Sequence, residues 1–344
     1  MNSELAPVRP GEDLPVESLT AWLGQRLAGA GSLEVWQFPS GHSNLTYLIR
    51  TRTPAAEYVL RRPPLGPVPP KAHDMLREFA VLQALEPWFS LAPRPVVACD
   101  DPAVIGAPFF VMERRRGVIP REGLPAAFAG IPGAPEAISR SLIDGLARLH
   151  RIEVTSTGIF RLGRPTGFLE RQVGGWTERW RRALTEPVPE MEPVIEWLNA
   201  ARPEPAHSTV VHQDYKLDNV MFDPRDPGRL TAVLDWEMAT VGDPLADLGL
   251  TLTYWSLPEA RAVSGMDQSA GWWSREAMIA RYAEGTGFDT AGLLWYEVLG
   301  TFKLAVIVQQ IYARYARGQT GDARFEGMGR MAVALARRAH AMIG

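Results

Sequence analysis

A chain of 344 residues in which 36 Lys and Arg face 39 Asp and Glu has a formal charge of −3, which leaves no electrostatic case for a nucleic-acid-binding or membrane-surface protein. Its single cysteine, Cys99, excludes an intrachain disulfide framework, offers no metal-binding spacing and suits a reducing compartment. With 46% apolar residues and length for about two domains the chain can bury a large core, and its N-terminus, MNSELAPVRPGEDLP, lacks the pattern of a signal peptide, so a soluble cytoplasmic protein is expected.

Taken in order, residues 16–28 have helical character and are followed by strand-like stretches at 33–39, 45–51 and 57–62. The proline-rich PPLGPVPP leads to an amphipathic helix over 71–86, with Met75, Leu76, Phe79, Leu82 and Leu85 on one face. Strands are expected at 95–99 and 108–114, and Gly117 opens a loop. Residues 1–116 are therefore read as a small sheet-based unit with one crossing helix. The remainder, 117–344, has helical patterning at 135–151, 168–184, 190–200, 244–256, 274–284, 291–317 and 323–342. Asp243 before Pro244 marks a helix start, an acid at the cap and a ring whose φ suits the first turn. The longest apolar pattern, 293–313, carries Glu297, Lys303, Gln309 and Gln310 and reads as a core helix, not a membrane span.

The helical pattern breaks at 209–235. There the run VHQDYKLDNVMFD crowds His212, Asp214, Lys216 and Asn219 together. Burying such groups unpaired is costly, so the cluster needs a ligand, a metal or dense hydrogen bonding. The apolar runs VMF and TAVLD on either side of DPRDPG predict a hairpin. A hairpin returns the chain to its start, so Asn219 at the entry and Asp235 at the exit are expected side by side, an amide oxygen and a carboxylate suited to Mg²⁺. Asp214 is then left to accept a proton from a hydroxyl. No P-loop, dinucleotide, nucleophile-elbow or zinc-protease signature is present.

The spacing His-x-Asp-x-x-x-x-Asn, the hairpin and the following Asp, together with SGHSNLTYLIR, EYVLRRPP, HQDYKLDN and LDWEMATVGDPLADLG, resemble the aminoglycoside phosphotransferase and choline kinase superfamily. Within it, these phrases look most like the phosphotransferase domains related to those fused to some acyl-CoA dehydrogenases. The resemblance implies an α+β, two-lobed protein-kinase-like fold, with a small antiparallel-sheet N-lobe and a large, mainly helical C-lobe. It also implies ATP and Mg²⁺ as cofactors. Carried over position by position, Asp214 would be the catalytic base, His212 a structural support of its loop, Lys216 the cation on the transferred phosphate, and Asn219 and Asp235 the metal ligands. Ser40, Gly41, His42, Ser43 and Asn44 would cover the nucleotide phosphates, and Glu78 would pair with Arg61 on the third strand. Met112 and Glu113 would lie in the segment joining the lobes, where backbone groups hold the adenine. Asp247 is a further candidate to hydrogen-bond the catalytic loop. Three positions depart from the pattern: Arg61 stands where protein kinases have lysine, the covering loop has one glycine, and Gln213 replaces a glycine common in the family.

Acceptor choice belongs to the helical part. Residues 274–344 contain nine Lys and Arg against six Asp and Glu, which argues against a polycationic aminoglycoside and for a neutral or anionic small-molecule hydroxyl acceptor. The nearest-looking relatives imply a hydroxy acid or hydroxyacyl compound. Trp176, Trp180, Tyr254, Trp255, Trp272, Trp273, Trp295 and Tyr296 read mainly as core, with a cage for choline or another amine as the other reading. Arg161, Arg164, Arg171, Arg179, Arg181 and Arg182 read as a solvated face that could receive an anion. The alternatives to an ATP-dependent O-phosphotransferase are a nucleotide-binding pseudokinase acting as a regulatory module, and a choline or amino-alcohol kinase.

Overall fold

The computed structural model describes residues 4–39, 44–66, 73–121, 123–256 and 271–344. The chain divides into two compact units, one of Met1–Arg116 with Ala232–Ala239, the other of Gly117–Thr231 with Thr240–Gly344.

Alternating side chains give the first unit a sheet with two usable faces. Strands β1 (Leu33–Gln37), β2 (Leu45–Arg52), β3 (Ala55–Arg62), β4 (Pro95–Cys99) and β5 (Phe109–Glu113) form an antiparallel sheet in the order β1-β2-β3-β5-β4. One face buries Tyr47, Ile49, Leu60, Phe109 and Val111 with Leu19 and Leu23 of α1 (Val16–Gly24), and Trp22 meets Phe109 edge-on. The other face carries α2 (Met75–Leu85), whose Phe79 lies 6.0 Å from Phe110. Asp74 caps α2 by accepting a hydrogen bond from the Arg77 N–H. Leu76, expected on the buried face, is exposed. It stands about 100° round the helix from Met75, and the covered stripe runs through Met75, Glu78, Leu82 and Leu85 instead. A short helix, α3 (Pro102–Ile105), was not anticipated; one turn is too brief to show periodicity.

The segment 232–239, expected with the helical part, belongs to the first unit. Its Val233 N–H donates to the Leu91 carbonyl at 2.8 Å, and Trp236 packs edge-on against Phe89.

The second unit contains α4 (Ala134–His150), α5 (Val154–Thr157), α6 (Phe168–Ala183), α7 (Met191–Ala200), α8 (Pro244–Ser256), α9 (Arg275–Thr286), α10 (Leu293–Ala316) and α11 (Met328–Ile343). The central member is α10, packed by α6, α7, α8 and α11, and this explains why its residues are buried nearly all round. Two glycines let α8 and α10 cross closely. A Cβ at Gly249 would stand 2.6 Å from the Tyr296 backbone, and one at Gly300 2.6 Å from Thr253 Oγ1. Strands β6 (Thr209–Val211) and β9 (Thr240–Gly242) pair antiparallel, while β7 (Val220–Asp223) and β8 (Asp226–Val233) form the expected hairpin. Its turn is tighter than the sequence suggested, because Asp226, Pro227 and Gly228 already belong to β8. Among the described residues no helix is long and apolar enough to cross a membrane.

The close crossing of α8 and α10 sets a stability expectation. Gly249→Val should lower the unfolding free energy by about 1–3 kcal/mol, the usual cost of overpacking. An unchanged denaturation midpoint would show that the two helices have room to spare there.

Candidate active site

Strand β6 delivers the chain to His212, and the turn that follows is unusual in having Gln213 at φ +66°, a left-handed conformation costing a non-glycine residue about 1–3 kcal/mol. Groups from two other elements hold it. Asp247, in the first turn of α8, accepts the backbone N–H groups of His212 (2.5 Å) and Gln213 (2.7 Å). Lys303 of α10 donates its ammonium to the Gln213 carbonyl at 2.5 Å. Asp247 also meets His150 Nε2 at 3.3 Å, and His150 Nδ1 lies 2.7 Å from the Tyr282 hydroxyl. Burial works to raise the Asp247 pKa, but the hydrogen bond from His150 and the pull of His150 and His212 outweigh it and hold the carboxyl below the ordinary aspartate value.

On this base the loop presents Asp214. Its carboxylate lies 3.0 Å from Lys216 Nζ and accepts Asn219 Nδ2 at 2.9 Å, with the Tyr254 hydroxyl at 3.5 Å. Asn219 Nδ2 also reaches the Asp214 carbonyl at 2.9 Å, which closes the short 3₁₀ turn before β7. His212 is fully buried, and its Nδ1 accepts the Asp214 N–H at 3.2 Å. Burial opposes the Lys216 charge, yet Tyr254 and Asp214 raise its pKa well above the ordinary lysine value, and its ammonium lies 4.8 Å from the Tyr254 ring centre. Burial pushes Asp218 up to about 6, against the pull of Lys216 and Arg121.

A second cluster lies in the first unit. Strand alternation turns Arg61 toward α2, where Nη1 meets Glu78 at 2.6 Å and Nη2 meets Asp235 at 3.0 Å. Burial opposes the arginine charge, but Glu78 and Asp235 more than offset it and raise its pKa; burial in turn raises Glu78 despite the guanidinium beside it. The two shifts pull in opposite senses, and the 2.6 Å contact with an arginine that stays charged makes this an ion pair. Asp235 has φ +67°, and the turn around it is anchored by Trp236, whose indole N–H donates to the Val233 carbonyl. Arg77 of α2 donates to the carbonyls of Glu237 (3.0 Å) and Ala239 (2.6 Å). Asn44 donates to Glu237 at 2.8 Å, and its Oδ1 lies 2.9 Å from His73 Nδ1. Ser40, Gly41, His42 and Ser43 lie outside the described residues. Met112 and Glu113 are strand residues of β5, and the Glu113 N–H is committed to the Arg94 carbonyl at 2.9 Å, so that donor is not available to an adenine ring while the strand stays paired.

The structure thus brings Asp214, Lys216, Asn219 and His212 into one loop, and Arg61, Glu78 and Asp235 into one ion-pair cluster. Sequence reasoning missed Tyr254, His150 and Glu237 as members of these networks. It also missed Lys303, for which a signal existed: a lysine inside an otherwise apolar helical pattern must find a partner for its charge.

The model of the phosphotransferase enzyme family matches residues 34–296. The chain belongs to that family. Over 92% of its length it is 37% identical to acyl-CoA dehydrogenase family member 11 of Rattus norvegicus, and the match spans only 41% of that longer protein. A crystal structure of a putative aminoglycoside phosphotransferase from Ralstonia eutropha is 29% identical and superposes with a TM-score of 0.79, covering 96% of this chain and 98% of the other. Choline kinase from Cryptosporidium parvum, 13% identical, shares the fold with a TM-score of 0.58 over 95% of this chain and 98% of its own. The family and its kinase-like fold account for the five-stranded sheet and for the mainly helical second unit.

Asp247 gives the loop a measurable dependence on pH. Replacing it by Asn should cost roughly 2–4 kcal/mol, since buried donors lose their acceptor. Because the folded pKa is depressed, the wild-type advantage is complete above the unfolded value near 3.9 and is lost as pH falls through the lower folded value. The difference in unfolding free energy between the two proteins should therefore hold steady from about pH 5 to 7 and shrink below about pH 4. A gap that persists undiminished at about pH 2 would contradict this assignment.

Proposed function

We propose that the chain is an ATP-dependent small-molecule O-phosphotransferase that moves the γ-phosphate of ATP to a hydroxyl group. The observation that carries this reading is the Asp214 carboxylate, held beside the Lys216 ammonium at 3.0 Å and the Asn219 amide at 2.9 Å on a loop whose backbone is fixed from behind by Asp247. In the proposed step the acceptor oxygen attacks the γ-phosphorus, ADP leaves, and Asp214 takes the hydroxyl proton. Lys216 keeps its charge and offsets that of the phosphoryl group in transit. His212 supports the loop through its ring nitrogen.

Asn219 and Asp235 are the proposed ligands of Mg²⁺. The donor set fits: Asn219 spends its amide nitrogen on Asp214 and leaves Oδ1 with no donor among the described residues, while Asp235 offers a partly exposed carboxylate. Bound Mg²⁺ supplies charge neutralisation at the phosphate oxygens. Arg61, with both Nη groups taken by Glu78 and Asp235, acts by fixing the Asp235 carboxylate. Ser40, Gly41, His42, Ser43 and Asn44 are proposed to cover the nucleotide phosphates, and Met112 and Glu113 to lie near the adenine.

A hydroxy acid or hydroxyacyl compound is the proposed acceptor, supported by the basic surplus of residues 274–344 and by relatives named as acyl-CoA dehydrogenase family members. An amine acceptor is less favoured, because Trp176, Trp180, Tyr254, Trp255, Trp295 and Tyr296 are buried and do not form an open cage. The second reading, a nucleotide-binding regulatory module, draws on Arg61 in the position of the usual lysine.

Phosphate transfer from labelled ATP to hydroxy acids, amino alcohols and macrolides tests the reading. The wild type should phosphorylate at least one class, chelation of Mg²⁺ should abolish this, and Asp214→Asn should reduce kcat by about 10²–10⁴. Nucleotide binding without transfer to any acceptor, water included, would favour the regulatory module.

A further inference from the structure

We propose that Tyr254 is the positioning residue of the pair formed by Asp214 and Lys216, its hydroxyl directed at Oδ1 of the carboxylate and its ring against the ammonium. The inference deepens the reading of Asp214 as base and rests on it, and every group in it belongs to the second unit.

Helix periodicity brings Tyr254 to the catalytic loop. Asp247, Thr251 and Tyr254 fall at i, i+4 and i+7 on α8 and share one stripe, about 10 Å long. That stripe meets the loop residue by residue. Asp247 accepts the N–H groups of His212 and Gln213, and Thr251 donates its hydroxyl to the Tyr215 carbonyl at 2.8 Å. Tyr254 reaches side chains instead of backbone: its hydroxyl lies 3.5 Å from Asp214 Oδ1, and its ring centre lies 4.8 Å from Lys216 Nζ. Two members of the stripe therefore fix the path of the loop, and the third touches the groups that would act on the substrate.

The two oxygens of Asp214 are not equivalent. Oδ2 accepts Asn219 Nδ2 at 2.9 Å and lies 3.0 Å from Lys216 Nζ. Oδ1 has the same ammonium at 3.1 Å and, among the described residues, the Tyr254 hydroxyl as its other donor. At 3.5 Å that hydroxyl stands beyond the roughly 2.5–3.0 Å of a full O–H···O bond. A donor at full bonding distance would stabilise the charged carboxylate and weaken it as a base. Set slightly back, the phenol aligns Oδ1 and leaves a lone pair for the acceptor hydroxyl. Oδ1 is thus the oxygen that receives the hydroxyl proton as the acceptor oxygen bonds to phosphorus.

The ring holds the cation. Lys216 is partly exposed, and a four-carbon stem in contact with water has several rotamers open to it. The face of Tyr254, a residue only 5% exposed, favours the rotamer that keeps the ammonium beside Asp214. Burial raises the Tyr254 pKa, Lys216 opposes the rise and Asp214 adds to it, so the phenol keeps its proton and remains a donor.

The sequence contains three lysines, Lys71, Lys216 and Lys303, so protein prepared with lysine carrying ¹³C at Cε gives a readable NMR spectrum in which Lys216 is identified by its loss in Lys216→Arg. The Lys216 Cε protons should be displaced upfield by the Tyr254 ring in wild type, stay displaced in Tyr254→Phe, and return to the ordinary lysine position in Tyr254→Leu. Lys303, 5.2 Å from the Trp176 ring centre, reports the fold, and its signal should stay in place throughout. In phosphate transfer from labelled ATP to hydroxy acids, amino alcohols and macrolides, Tyr254→Phe should lower kcat about tenfold and Tyr254→Leu about a hundredfold, with KM for ATP unchanged in both. An unmoved Lys216 signal in Tyr254→Leu, wild-type kcat in Tyr254→Phe, or a defect confined to KM for ATP overturns the assignment. Should Tyr254→Leu move the Lys303 signal as well, its fold has changed and kcat of Tyr254→Phe decides alone. If the wild type phosphorylates nothing, the reading of Asp214 fails separately, and the Lys216 signal decides the role of Tyr254: displacement that Tyr254→Leu removes upholds its hold on the pair, and no displacement in wild type rejects it.

Discussion

The carboxylate of Asp247 is the constraint on which the loop carrying Asp214 depends. It is fully buried, and water no longer solvates it, so its charge survives only because backbone N–H groups of His212 and Gln213 and the ring of His150 converge on it. That convergence fixes consecutive peptide units in a conformation that Gln213 would not choose alone. Lys303 completes the hold from the other side by taking the Gln213 carbonyl. The loop carrying Asp214 is therefore positioned by a helix start and by the core helix, two of the most deeply packed parts of the unit. For the base proposed at Asp214, which would have to meet a hydroxyl within a fraction of an ångström, such supports serve better than a loop held through its own contacts.

The first unit solves a similar problem with opposite means. There the buried charge is a cation, Arg61, and two carboxylates from different elements satisfy it. Glu78 comes from α2 and Asp235 from the segment after β8, so one guanidinium joins strand, helix and returning chain. A lysine at that position would offer a point charge in place of a planar fork, and could not hold two carboxylates in one plane through separate Nη atoms. Arginine in place of lysine is thus a change of geometry at constant charge, and it comes with the tight Glu78 contact. Arg77 and Asn44 extend the arrangement through Glu237, so the stretch Asp235–Ala239 is tied to α2 and to the start of β2.

Much of this was legible in the sequence because it is local. The strands 45–51 and 57–62, the helices 168–184 and 244–256, and the hairpin after Asn219 follow from periodicity, from Asp243–Pro244 and from DPRDPG, signals that span a few neighbouring residues. The cluster Asp214, Lys216 and Asn219 was legible for the same reason, since one short turn holds all its members. The pairing of β6 with β9 was not: each is three residues long, and the two lie some thirty positions apart.

By itself, the sequence determined the α+β class, the order of the elements, the family and the spacing of the proposed base and metal-binding residues, because these depend on near neighbours along the chain. Only the tertiary structure decided which distant groups support them. Lys303 is ninety residues from Gln213, His150 nearly a hundred from Asp247, and Arg61 more than a hundred and seventy from Asp235. Their charges are buried, and a buried charge takes whichever partner the packing of helices and strands brings within hydrogen-bonding reach. No pattern along the chain encodes that choice, since it is made by the shape of the core after the elements have met.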